Sequence, residues 1–133
     1  MTPVGMLVAN PAFASIPEQT RFTPGAYHGT VVWSWQQALT AAGLARQLAR
    51  TDLPAATRRN LQGAQACLWQ AIDATRDMSN SELWSWRYAD GRYQVAAFGA
   101  SGKDADESNA AQLWSTVYLA IPQPTEASGQ CSH

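Results

Sequence analysis

The spacing of apolar positions changes character from one stretch of this chain to the next, and each change marks an element. Residues 1–27 hold one short apolar run, Val4-Gly-Met-Leu-Val-Ala9, followed by scattered prolines. Pro3, Pro11, Pro17 and Pro24 preclude a long helix, so a short strand or turn leading into loop is expected. From Thr30 to about Arg50 the period becomes helical. Val31, Val32, Trp35, Ala38, Leu39, Ala42 and Ala45 share a face that Leu44 and Leu48 widen, leaving Gln36, Thr40, Gly43 and Gln47 as a narrow polar stripe. Such a helix is expected to be buried on more than one side, with Thr30 as its N-cap.

A second helix is expected from Pro54 to about Asp77, with Leu61, Ala64, Leu68, Ala71 and Ile72 inward and Arg58, Arg59, Gln62, Gln70 and Asp73 outward. The short Thr51–Pro54 connection makes the two helices an antiparallel αα-hairpin. Strand patterning then takes over. Leu83–Tyr88 and Arg92–Phe98 flank Ala89-Asp90-Gly91, the chemistry of a β-hairpin turn. After a polar loop over Gly99–Asp106, a third helix is expected from about Ser108 to Ile121, stopped by Pro122 and Pro124. The polar segment Glu126–His133 reads as a disordered tail.

Composition narrows the function classes. Charged residues are only 14% of the 133 against 46% apolar, well under the roughly 25% charged of an average domain, so faces left exposed are expected to be covered by something else. A net charge of -1 and no basic run argue against a nucleic-acid partner. No apolar stretch is long enough to span a membrane, and the N-terminus has no signal-peptide pattern, which leaves the compartment undetermined. Cys67 falls in a helical pattern, where a buried thiol is the default, and Cys131 lies in the polar tail; a bond between them is an open alternative without support from the spacing. No phosphate loop, metal-ligand cluster or nucleophile elbow is present, so neither cofactor nor metal is expected.

Carboxylates among tryptophans remain. Tyr27-His28-Gly29-Thr30-Val31-Val32-Trp33-Ser34-Trp35 resembles the signature YHNGTVWPW of glycoside hydrolases with an (α/α)6-toroid catalytic domain, above all the glycogen-debranching amylo-α-1,6-glucosidases and, more distantly, glucoamylases and trehalases. Ser81-Glu82-Leu83-Trp84 and Asn109-Ala-Ala-Gln-Leu-Trp-Ser115 resemble two later motifs of that family, in the same order.

The resemblance implies a mainly α chain, about one and a half helical hairpins of a six-hairpin toroid, with a small β-hairpin between the second and third helices. Residues 1–125 would be the C-terminal arc of the catalytic domain and 126–133 the tail. It implies an oligosaccharide or polysaccharide substrate and Glu82 as the general base of an inverting hydrolysis. The general acid would come from the missing N-terminal part of the same domain, so the chain by itself is expected to be inactive. His28, Tyr27, Trp33, Trp84 and Glu107 are the expected substrate-binding residues. Trp84 would form the stacking wall beside Glu82. Glu107 is also a rival base, although a carboxylate in a first helical turn is accounted for by the helix dipole. Two other classes stay open: a non-catalytic carbohydrate-binding unit and a helical protein-interaction module.

Overall fold

The computed structural model describes residues 1–99, 120–124 and 131. Among these, the chain order is a 3₁₀ turn at Pro11–Phe13, helix α1 (Ile16–Gln19), strand β1 (Val32–Trp33), helices α2 (Ser34–Leu48) and α3 (Ala55–Ala74), a 3₁₀ turn at Arg76–Met78, and strands β2 (Leu83–Ala89) and β3 (Arg92–Ala97). The strands form one antiparallel sheet in the order β1-β2-β3. This is a small mixed α/β domain. The expected mainly α arc of a toroid is therefore corrected, because the sheet is structural rather than an appended hairpin. The third expected helix lies outside the described residues.

The correction starts at Thr30. Val31, Val32 and Trp33 are β-branched or aromatic. Instead of opening the helix, Val32 and Trp33 pair with Trp84 and Leu83. Helix α2 therefore begins at Ser34, and Thr30 is not its cap. The Glu82 carbonyl takes over part of that role: it accepts from both the Ser34 amide and the Ser34 hydroxyl, each at 2.9 Å. Nor is α2 buried all round. Ser34, Gln37, Ala38 and Ala41 face inward at helical spacing, whereas Leu39 is 56% exposed.

Helix α3 packs Leu68 and Ile72 against Ala41 of α2, with Leu44, Trp69 and Ile121 at the margin. Arg58, from the first turn of α3, donates to the Leu48 carbonyl at 2.7 Å and to the Arg50 carbonyl, closing the C-terminal end of α2. In the connecting loop the Arg50 guanidinium holds the Asp52 carboxyl below the usual carboxylate range. The small stabilisation from this exposed pair is in place above that range and fades as pH falls through the lowered value.

The β2–β3 turn follows the local code. Asp90 (φ 54) and Gly91 (φ 72) both have positive φ, as a two-residue type I′ loop requires. A second small core, Val31, Leu83 and Phe98 with Val8, Tyr27 and Trp33 against it, lies under the sheet. The N-terminal segment bridges to β1 at Leu7–Val32, and the buried Gln37 amide oxygen accepts from the Met6 N–H at 2.7 Å. Cys67 and Cys131 form a disulfide, with Cα atoms 4.6 Å apart. The α3 cysteine is thus not a lone buried thiol.

Candidate functional site

The turn before β1 is assembled by short-range bonds: Ala26 N–H to the Thr23 carbonyl, Gly29 N–H to Ala26 and Thr30 N–H to Thr23. Gly29 is required by contact rather than by conformation. A Cβ there would stand 2.1 Å from the Thr23 carbonyl oxygen and 3.0 Å from the Ala26 Cβ. Two side chains of β2 hold this loop onto the sheet. The Trp86 indole donates to the Thr30 carbonyl at 2.6 Å, and the Ser85 hydroxyl donates to that of Pro24.

So anchored, the turn presents an aromatic cluster. Tyr27 packs edge-on against His28 and Trp33, both with centroids at 4.9 Å, and against Phe98 at 6.0 Å. His28 stacks on Trp33 at 5.9 Å with ring planes 21° apart, and Trp35 meets the edge of Trp33 at 5.8 Å. At its polar end the Tyr27 hydroxyl donates to Glu82 Oε1 at 2.8 Å. That bond joins residues 55 apart in sequence. A carboxylate given such a donor inside the protein is fixed in one orientation.

Tyr27, His28, Trp33 and Glu82 therefore meet in space, from two motifs that the sequence keeps apart. Trp84 does not join them as a binding surface. It is fully enclosed, with its indole N–H donating to the Val4 carbonyl at 2.8 Å, because the N-terminal segment reaches over this end of β2. Expected as a sugar-stacking wall, Trp84 is corrected to a core residue. Glu82 is likewise fully enclosed, and Tyr27 and Trp33 are half-buried. Glu107 lies outside the described residues.

Phe98 and Ser34 also belong to the site, and sequence reasoning passed over both. Phe98 ends a strand pattern and gave no separate signal. Ser34 was legible only as a residue between two tryptophans, since its partner is a carbonyl 48 residues away. The Trp33 indole N–H is buried with no acceptor among the described residues, an arrangement natural proteins seldom leave unused. Two cavities, of about 360 and 390 Å³, border the N-terminal segment, and neither is lined by Tyr27, Trp33 or Glu82. Among the described residues no group of three or more His, Cys, Asp and Glu could hold a metal ion, and no helix is long and apolar enough to cross a membrane. No family model, curated protein or solved structure matches this chain.

Proposed function

We propose that this chain carries the general base of an inverting glycoside hydrolase acting on α-glucosidic bonds, and that Glu82 is that base. The observation behind the proposal is the bond from Tyr27 to Glu82, which couples the Tyr-His-Gly-Thr turn to the Ser-Glu-Leu-Trp segment inside one aromatic cluster. Each part has a chemical use. A carboxylate oriented by a phenol can take the proton of an attacking water. Tyr27, His28 and Trp33 supply apolar ring faces beside polar atoms, the combination that suits a pyranose with its C–H face and hydroxyl rim. The Trp33 N–H, which has no acceptor among the described residues, adds a donor for a sugar hydroxyl.

Inversion needs a second carboxyl as general acid, about 6.5–9.5 Å from the base so that water fits between them. By the resemblance of the motifs it comes from a segment preceding these helices, so activity belongs to the natural gene product that carries this sequence. In that protein E82Q lowers the initial rate on maltotriose by about 10²–10⁴-fold while leaving the thermal unfolding midpoint near that of the parent. Turnover at the parent's rate overturns the assignment.

The enclosure of Glu82 favours a second reading, a non-catalytic carbohydrate-binding unit that uses the same aromatic cluster. Parent protein that binds maltotriose in calorimetry yet releases no glucose selects it.

A further inference from the structure

The Cys67–Cys131 disulfide forms part of the wall of a cavity. Cys67, Gln70, Ala71 and Ala74 fall at helical spacing on one face of α3. Together with Cys131, Met1, Thr2 and Pro3 they line the cavity of about 360 Å³, to which Tyr27, Trp33 and Glu82 contribute nothing. Both cysteines are half-buried rather than enclosed, and the neighbouring Gln70 and Ala74 are exposed, so the cavity opens along the last turns of α3. A reagent that enters there meets the S–S bond with the helix still folded.

The lining selects the reagent. Among the described residues no charged side chain lines the cavity, and Met1, Pro3, Ala71 and Ala74 give it apolar walls. A charged thiol would shed hydration there without meeting a counter-charge, whereas a small neutral thiol would not. The lining also selects the sulfur that is attacked. A reagent bonded to Cys67 keeps its carbon chain against Ala71 and Ala74, one and two turns further along the same face, while a reagent bonded to Cys131 leaves with that residue. The stretch before Cys131 has its own hold on α3. Ile121 packs against the Ala41, Leu68 and Ile72 cluster, and the Gln123 carboxamide donates to Asp73 at 3.2 Å and accepts from Arg76 at 3.5 Å. Opening the disulfide therefore frees Cys131 and leaves Gln123 anchored.

We propose that this cavity is a thiol-exchange site, in which a small neutral monothiol forms a mixed disulfide with Cys67 and releases Cys131. The thiolate sulfur bonds to Cys67 Sγ, the Cys67–Cys131 bond breaks, and its electron pair leaves on Cys131 Sγ. That sulfur takes up the proton the incoming thiol gave to water. One disulfide is consumed and one is formed, so the thiol is the only co-reactant. Because Gln123 holds the chain eight residues from Cys131, the released thiol returns at an effective concentration of roughly millimolar order. The adduct therefore accumulates only when the monothiol is at least that concentrated, and it is lost when the monothiol is withdrawn.

The test is peptide-mapped mass spectrometry of the native 133-residue chain, exposed without denaturant to 2-mercaptoethanol at about 10 mM and quenched at early times with N-ethylmaleimide. The mercaptoethanol adduct is expected on Cys67 and the maleimide on Cys131, with the far-UV circular dichroism of the parent retained. The charged analogue 2-mercaptoethanesulfonate is expected to react about tenfold or more slowly. A74L, at the exposed rim of the cavity, is expected to slow 2-mercaptoethanol by a similar factor with the disulfide intact. An adduct that forms first on Cys131, exchange that needs urea, or an equal rate for the charged thiol overturns the site. So does an A74L rate equal to that of the parent. The comparison of the two thiols uses the parent chain alone, so it decides the matter even where A74L fails to fold.

Discussion

The contact with most at stake is the hydrogen bond from Tyr27 to Glu82. A buried polar group that loses its hydrogen-bond partner costs about 1–3 kcal/mol. Y27F keeps the ring contacts with Trp33 and Phe98 but takes a donor from the enclosed carboxylate. It should therefore lower the free energy of unfolding in urea by about that amount. A midpoint within error of the parent would mean that the bond contributes nothing. The aromatic identities of Tyr27, His28 and Trp33 were legible in the sequence as one motif. That they would close over Glu82 was not, because the pairing of Val32 and Trp33 with Trp84 and Leu83 brings the two segments together. Trp84 shows the same limit. Strand alternation correctly groups it with Trp86, but only the path of the N-terminal segment makes one ring core and the other half-exposed.

Among the elements, the helical hairpin has a joint that a single side chain maintains. Arg58 reaches back from α3 to the carbonyls of Leu48, the last residue of α2, and of Arg50 just beyond it, past the last intrahelical bond. R58A leaves those carbonyls to water and should destabilise the domain by about 0.5–2 kcal/mol, the range measured for lost helix caps. Amide hydrogen exchange should show the loss as faster exchange in the last turn of α2. Unchanged protection there would assign Arg58 no capping role. The start of α3 and the β-hairpin were readable from turn chemistry, since Pro54 and Asp90-Gly91 act within a few residues of themselves, whereas α3 ends at Ala74, short of the expected Asp77, and a 3₁₀ turn follows at Arg76–Met78. The start of α2 was not readable. Helical spacing extends back to Val31, and it is overridden by a sheet partner about 50 residues later in the chain.

At the scale of the molecule, the described residues hold two small clusters of buried side chains, and covalent closure supplements them. The Cys67–Cys131 disulfide spans a sequence separation of 64. Restricting the unfolded chain over a loop of that length contributes about 4 kcal/mol in the chain-entropy model, and 2–4 kcal/mol is typical. The pair C67S/C131S, or reductant added to the parent, should lower stability by roughly 2–4 kcal/mol in urea titrations. Two thiols titrating in denatured, unreduced protein would contradict the bond outright. The N-terminal segment acts at this scale as well, joining the sheet through Leu7, α2 through Met6 and the core through Val4.

The sequence by itself determined the helical hairpin, the β-hairpin with its turn, and the aromatic and carboxylate residues of the candidate site. These depend on periodicity and on backbone preferences that act over a few positions. The tertiary structure decided the fold class, the enclosure of Glu82 and Trp84, and the pairing of the two cysteines. Each of those depends on which distant segments come into contact, and a short β-branched run can satisfy helix and strand alike until its partner is in place.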